Sequence, residues 1–215
     1  MTEYYAGQDL GKRRDYSALA VLERTYDDKL RLVALKEWPH VDYKIVVADT
    51  KQIYKKFGWY KLGVDQSGIG DSIVEEYHYE NAQGIVFTAK AKEEMIEYMI
   101  LLRQQGKLIL PRNGATELIR QLEEQERILS DAGNVTYRHP SGRHDDLLWA
   151  LALACHVAKE GLEKSEPLLM TFSADDYYPQ DRNQEILSRV LGKFVGSGIT
   201  VTGVKVRIPG DDYLF

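Results

Sequence analysis

Three aspartates carry the chemistry this sequence could perform: Asp9 in Gly7-Gln8-Asp9-Leu10-Gly11, Asp65 in Gly63-Val64-Asp65-Gln66-Ser67-Gly68, and Asp146 in His144-Asp145-Asp146-Leu147-Leu148. Carboxylate oxygens are hard ligands. Mg²⁺ takes one or two of them and leaves its remaining positions to water and substrate phosphates. Two divalent ions about 3.5–4 Å apart support in-line displacement at phosphorus, one activating the attacking water and the other stabilising the departing oxygen. A carboxylate lying between the ions can serve both.

Each acid also has a plainer explanation. Asp9 and Asp65 precede glycine-containing turns, where aspartate is a common turn residue. Asp145 and Asp146 open an apolar helical segment, where aspartate caps backbone N–H groups and complements the helix dipole. Adjacent helical residues point about 100° apart, so the two cannot bind one metal alike. Asp146 is the expected ligand, with Asp145 orienting a water, the metal or the cap. His144 titrates near neutrality and could approach a scissile phosphate, or could be a surface or capping histidine.

These acids matter only if the chain brings them together. Tyr4–Asp9, Ser17–Arg24 and Leu30–Trp38 read as strands of an antiparallel meander, with Asp27-Asp28-Lys29 between the last two. Tyr43–Phe57 then has helical periodicity, and Tyr60–Asp65 is a short buried strand ending at a glycine-rich turn. A helix over 71–81, a strand Gly84–Thr88, and a helix Lys90–Gln104 with Met95, Ile96, Met99, Ile100 and Leu102 inward follow. Lys107–Leu110 is a short edge strand, and Asn113 is expected to cap a helix running to Leu129. Gly133-Asn134 begins a connector, and His144–Lys159 is apolar around most of its circumference, so it should pack centrally on the sheet. If right-handed crossovers make the later strands parallel, Asp9 and Asp65 emerge on one sheet edge.

Composition bounds the alternatives. The chain has 215 residues, 44% hydrophobic and 28% charged, enough for one well-cored domain. Its single cysteine, Cys155, excludes an internal disulfide framework and a cysteine-based zinc site. The apolar run Leu147–Val157 is too short to span a bilayer, and no secretory signal pattern opens the sequence, so a cytoplasmic setting is expected. The net charge of −5 argues against a protein that coats DNA through general basicity. It is compatible with an acidic metal centre flanked by local cations. Lys12, Arg13, Arg14, Lys90, Lys92, Arg112 and Arg143 lie near element boundaries where a DNA groove could form, although each also reads as solvated surface charge. Gly68-Ile69-Gly70 is not a dinucleotide fingerprint. Residues 161–215 are less regular: Ser165-Glu166-Pro167 breaks the helix, Arg182–Lys193 could be helical and Ile199–Ile208 a strand or hairpin.

Three antiparallel strands followed by parallel strands, in a five-stranded mixed α/β sheet flanked by helices, is the order of an RNase H-like fold. With its acidic motifs, the chain resembles over residues 1–160 the C-terminal nuclease domain of the large terminase subunit of tailed bacteriophages. That resemblance implies an endonuclease cutting double-stranded viral concatemers during packaging in the infected host cell. Mg²⁺ or Mn²⁺ would be the cofactor, two ions held by Asp9, Asp65 and Asp146. It also places Asp15 where relatives often carry a supporting acid, although Asp15 reads equally as a turn residue. Many relatives have a further acid three positions after the last ligand, where this chain has Trp149. No Gly-x-x-x-x-Gly-Lys-Ser/Thr phosphate loop occurs, although a complete terminase needs an ATPase, and the resemblance implies the separate ATPase motor, the small terminase subunit and the portal protein as partners. Residues 161–215 are expected to be an accessory region that docks one of them. A Holliday-junction resolvase, or a DNA- or packaging-protein-binding module inactive outside its assembly, is the competing expectation.

Overall fold

Alternation along the second strand explains why the sheet is buried on both faces. Ala18, Ala20 and Leu22 belong to one hydrophobic cluster, whereas Leu19 and Val21 belong to another. With a side-chain period of two, such a strand must have helices on both sides. The computed structural model, which describes residues 2–11, 16–67, 71–111, 113–129 and 135–163, supplies them.

The meander is formed by β1 (Glu3–Asp9), β2 (Ser17–Arg24) and β3 (Leu30–Trp38), paired antiparallel. After α1 (Tyr43–Phe57), β4 (Lys61–Asp65) joins parallel to β1. Next come α2 (Asp71–Glu76), a 3-10 turn at His78–Glu80, and β5 (Ala82–Ile85), parallel to β4. Then α3 (Ala89–Gln104) leads to the two-residue β6 (Leu108–Ile109), parallel to β3. The sheet order is β5-β4-β1-β2-β3-β6, so the 107–110 segment adds a sixth strand at the edge of the five expected. The chain ends its described part with α4 (Thr116–Glu124), the hairpin β7 (Glu126–Leu129) and β8 (Val135–Arg138), and α5 (Asp146–Glu163).

One face of the sheet carries α5, with α3 and α4 packed against it; the other carries α1, whose Val46 and Val47 meet Ala6, Leu19, Leu62 and Trp59. From Leu147 to Cys155 every residue of α5 is buried, as its all-round apolar pattern requires. Two glycines set how close α5 comes. A Cβ at Gly7 would run into the backbone of Ala150 and Ala154, and one at Gly63 would lie 2.9 Å from Val157 Cγ1 and 3.2 Å from the Leu153 carbonyl oxygen. Ala150 and Ala154 present their small faces to β1 at this point.

Four expectations differ from the structure. The helix expected to run from an Asn113 cap to Leu129 is nine residues long: Ala115 precedes it without a side-chain cap bond, and Gln125, extended at φ −67° and ψ 130°, ends it. Glu126–Leu129 instead pairs with Val135–Arg138, a downstream partner that local periodicity does not reveal, and Leu129 is exposed. The strand expected at Gly84–Thr88 runs from Ala82 to Ile85, because its ladder stops where β4 stops, at the Asp65–Ile85 pair. The 71–81 helix breaks into α2 and the 3-10 turn, closed by Asn81 in the left-handed region at φ 54°. The last helix begins at Asp146 rather than His144 and reaches Glu163, past the boundary expected at residue 160. The Gly133-Asn134 connector and the elements expected after residue 163 lie outside the described residues.

The tight seat of α5 makes Gly7→Ala costly. We expect it to lower the unfolding free energy by about 3 kcal/mol, the upper range for overpacking, measured by urea denaturation. A variant as stable as wild type would show that the sheet and α5 are not this close.

Candidate active site

The alternation that buries Tyr5 and Gly7 against α5 puts Asp9 on the same side of β1. In the parallel pairing of β1 with β4, Gly7 faces Gly63 and Gln8 faces Val64. Continuing that register by one place sets Asp9 beside Asp65, at the carboxyl ends of adjacent parallel strands. The helix α5 runs antiparallel to β1, since Gly161 meets Tyr5 while Ala154 and Ala150 meet Gly7. Its first turn, with Asp146, therefore lies over the strand ends.

The result is an open cleft of about 540 Å³ lined by Asp9, Leu10, Gly11, Asp65, Ser67, His139, Arg143, His144, Asp145 and Asp146. All three aspartates singled out in the sequence share it, with Asp145 and His144. The proximity has an electrostatic signature. The Asp9 carboxyl is held well above its ordinary value of 3.8, first by burial and then by the negative charges of Asp146, Asp65 and Asp145, with Lys92 as a partial offset. Carboxylates that resist ionising together are in the state that a bound cation relieves.

Individual side chains are held in different ways. Asp65 Oδ1 accepts the Ser67 backbone N–H at 2.8 Å. Asp145 is turned along its own helix and toward the neighbouring loop: Oδ2 accepts Trp149 Nε1–H at 2.9 Å, and Oδ1 lies 3.9 Å from His139 Nε2. The first N–H groups of α5 are satisfied by Gln121 of α4, whose Oε1 accepts from Leu147 at 2.9 Å and Leu148 at 3.2 Å. The His144 ring stacks on Tyr16, with centroids 3.9 Å apart.

The cations divide. Arg143 lines the cleft and lies 3.5 Å from Glu124. Lys92 stands 4.2 Å over the Trp149 ring and 5.0 Å over Phe87, close enough to act on Asp9. Lys90 does not line the cleft; it is largely exposed, 3.7 Å from Glu94. Lys12, Arg13, Arg14, Asp15 and Arg112 lie outside the described residues, as do Gly68 and Gly70. Sequence reasoning missed Gln121 and His139. Gln121 had a signal: it occupies an inward position of α4 beside Leu118, Ile119 and Leu122, where an amide needs a reason to be.

The donor set fits a hard divalent cation. Among the described residues no group of three or more His, Cys, Asp and Glu side chains is already drawn together closely enough to hold a metal ion. An open carboxylate cleft suits Mg²⁺, which keeps several waters and is completed by substrate phosphate rather than by an all-protein cage.

The terminase RNase H-like domain model matches residues 6–157. The chain is similar to the large terminase nuclease from thermophilic phage G20c with bound magnesium, at 28% identity and a TM-score of 0.62, covering 72% of this chain and 81% of that one. It is also similar to the large terminase nuclease domain of Thermus phage P74-26, at 28% identity and a TM-score of 0.60, covering 71% and 78%. The large terminase of bacteriophage HK97 shares the fold at 17% identity, with a TM-score of 0.59 over 74% of this chain and 40% of that one. No curated protein matches the sequence.

The crowding of carboxylates fixes a pH dependence. Because the folded protein holds the Asp9 carboxyl above its ordinary 3.8, ionising it penalises the native state. That penalty is fully present above the raised value and disappears as pH falls toward the ordinary one. Asp9→Asn removes it, so the metal-free variant should melt higher than wild type at mildly alkaline pH, with the gap closing on acidification. Scanning calorimetry across pH reads this; an Asn variant less stable throughout would contradict the assignment of charge repulsion to Asp9.

Proposed function

The chain belongs to the terminase RNase H-like domain family, and from that membership we propose that it is a metal-dependent endonuclease cutting double-stranded viral concatemers during genome packaging. The observation that carries the proposal is the meeting of Asp9, Asp65 and Asp146, from two strand ends and one helix start, in a cleft where the other acids raise the Asp9 carboxyl. Family membership favours this reading over a junction resolvase. The magnesium-bound G20c nuclease, at 28% identity, supports Mg²⁺ as the cofactor, with Mn²⁺ as the alternative hard cation for the same oxygen ligands.

When bound, two such ions would supply a nucleophilic water and stabilise charge at the phosphate and leaving oxygen. Asp9, Asp65 and Asp146 would hold them. Asp9 feels the negative charge of both other acids. Asp145, engaged by Trp149 and facing His139, orients the start of α5 rather than offering a second ligand. Trp149 stands where the family resemblance implies a further acid, so that turn supplies no fourth carboxylate. Arg143 at the cleft and Lys92 beside it are suited to steadying backbone phosphates, contacts that position DNA without reading its sequence. His144, stacked on Tyr16 at the cleft wall, is placed to meet the phosphate or the departing product.

We assign the nuclease to residues 1–160 and a partner-docking accessory role to 161–215. The ATPase motor, small terminase subunit and portal are its expected partners in the infected cell's cytoplasm. In a supercoiled-plasmid assay, wild type should nick with Mn²⁺ or Mg²⁺ and not with EDTA. Asp65→Asn should fold and lose at least about a hundredfold in rate, since even outer-shell metal partners cost up to that much. Near-normal Mg²⁺-dependent cutting by folded Asp65→Asn would remove Asp65 from the site, and a folded wild type that never nicks would sink the nuclease assignment.

A further inference from the structure

A helix opens with backbone N–H groups that have no partner within the helix. In α5 two of these, on Leu147 and Leu148, donate to one oxygen, Gln121 Oε1, at 2.9 and 3.2 Å. The acceptor comes from another helix. Gln121 is 1% exposed, and its Nε2 lies 3.4 Å from Glu37 Oε1 on β3 and 3.4 Å from Glu117 Oε1 on its own helix. One buried amide therefore joins β3, α4 and the beginning of α5.

An apolar side chain would occupy that position at lower desolvation cost unless the amide were needed. Its effect falls on the next residue. Asp146 immediately precedes Leu147, so a shift of the Leu147 amide moves the Asp146 backbone and its carboxylate. The acceptor for these two amides is thus Gln121, while Asp145 accepts from the Trp149 indole and Asp146 lines the cleft.

We infer that Gln121 is a positioning residue of the metal centre: by holding the Leu147 and Leu148 amides it sets where the Asp146 carboxylate stands, and metal affinity depends on it. The inference rests on the proposed reading of the cleft as a metal site.

Mn²⁺ affinity of the full chain, measured by electron paramagnetic resonance, tests it. Gln121→Asn shortens the side chain and withdraws the acceptor, and Gln121→Met removes it at similar volume. Each should weaken Mn²⁺ binding by about 10- to 100-fold, the range for outer-shell partners. Leu118→Ala loosens the packing of α4 without touching the acceptor. If it loses as much Mn²⁺ affinity as Gln121→Asn, the role is packing alone and the inference is overturned. Unchanged affinity in Gln121→Asn or Gln121→Met overturns it equally. Hydrogen exchange at the Leu147 and Leu148 amides provides a readout that needs no metal. Both should exchange faster by about tenfold in the folded Asn or Met variant, as loss of a hydrogen bond predicts; unchanged exchange overturns the anchor. A wild type that binds no Mn²⁺ but shows the faster exchange in the variant would sink the metal reading while leaving the anchor standing.

Discussion

The seat of α5 against β1 and β4 is the constraint on which the rest depends. Gly7 and Gly63 are adjacent in the parallel register and lack the Cβ that would hold the helix away. The small Ala150 and Ala154 complete the contact. Dense packing makes this interface intolerant of added volume. Because the helix runs opposite to β1, the same contact that closes the core carries Asp146 to the ends of the strands bearing Asp9 and Asp65. Core packing and convergence of the acids are one structural fact: a helix seated farther out would open the core and separate the carboxylates together.

That convergence opposes stability locally. Burial and three neighbouring acids all act against ionisation of Asp9, and Lys92 offsets only part of it. Such strain persists only where the surroundings over-determine the geometry. Here the surroundings are the buried Leu147–Cys155 stretch of α5, the two glycine contacts and the Gln121 anchor. The fold thus holds an electrostatically unfavourable arrangement in place, one that a bound cation would relieve.

Most of the site could be read from the sequence because its signals are local. Asp9 and Asp65 stand at the ends of strands whose lengths follow from apolar runs, and the existence of α5, though not its first residue, follows from its apolar surface. The parallel register that sets Asp9 beside Asp65 has no local signal beyond the glycines two residues before each acid. The β7–β8 hairpin was hidden for a similar reason: Glu123-Glu124-Gln125-Glu126 favours a helix, and only pairing with Val135–Arg138 turns the segment into a strand. Gln121 escaped because its partners are amides of a helix more than twenty residues away, and a backbone amide leaves no mark in a sequence. Lys90 and Lys92 illustrate the limit from the other side. They are two places apart on one helix and equivalent in composition, yet one pairs with Glu94 in solvent and the other covers Trp149 beside the acids.

Trp149 connects these threads. One turn after Asp145, its indole N–H binds the Asp145 carboxylate, while its ring packs near Phe87 and Tyr137 and supports the Lys92 ammonium. An acid at this position would add to the repulsion already acting on Asp9. The indole instead holds the Asp145 carboxylate and supplies a surface on which the Lys92 ammonium rests near the cleft. The exchange of a carboxylate for an aromatic ring lowers the negative charge around Asp9 twice, by omitting one charge and by holding an opposite one. Asp9, Asp65 and Asp146, the ligands in the proposed reading, remain together in the cleft, where the packing of α5 sets their positions.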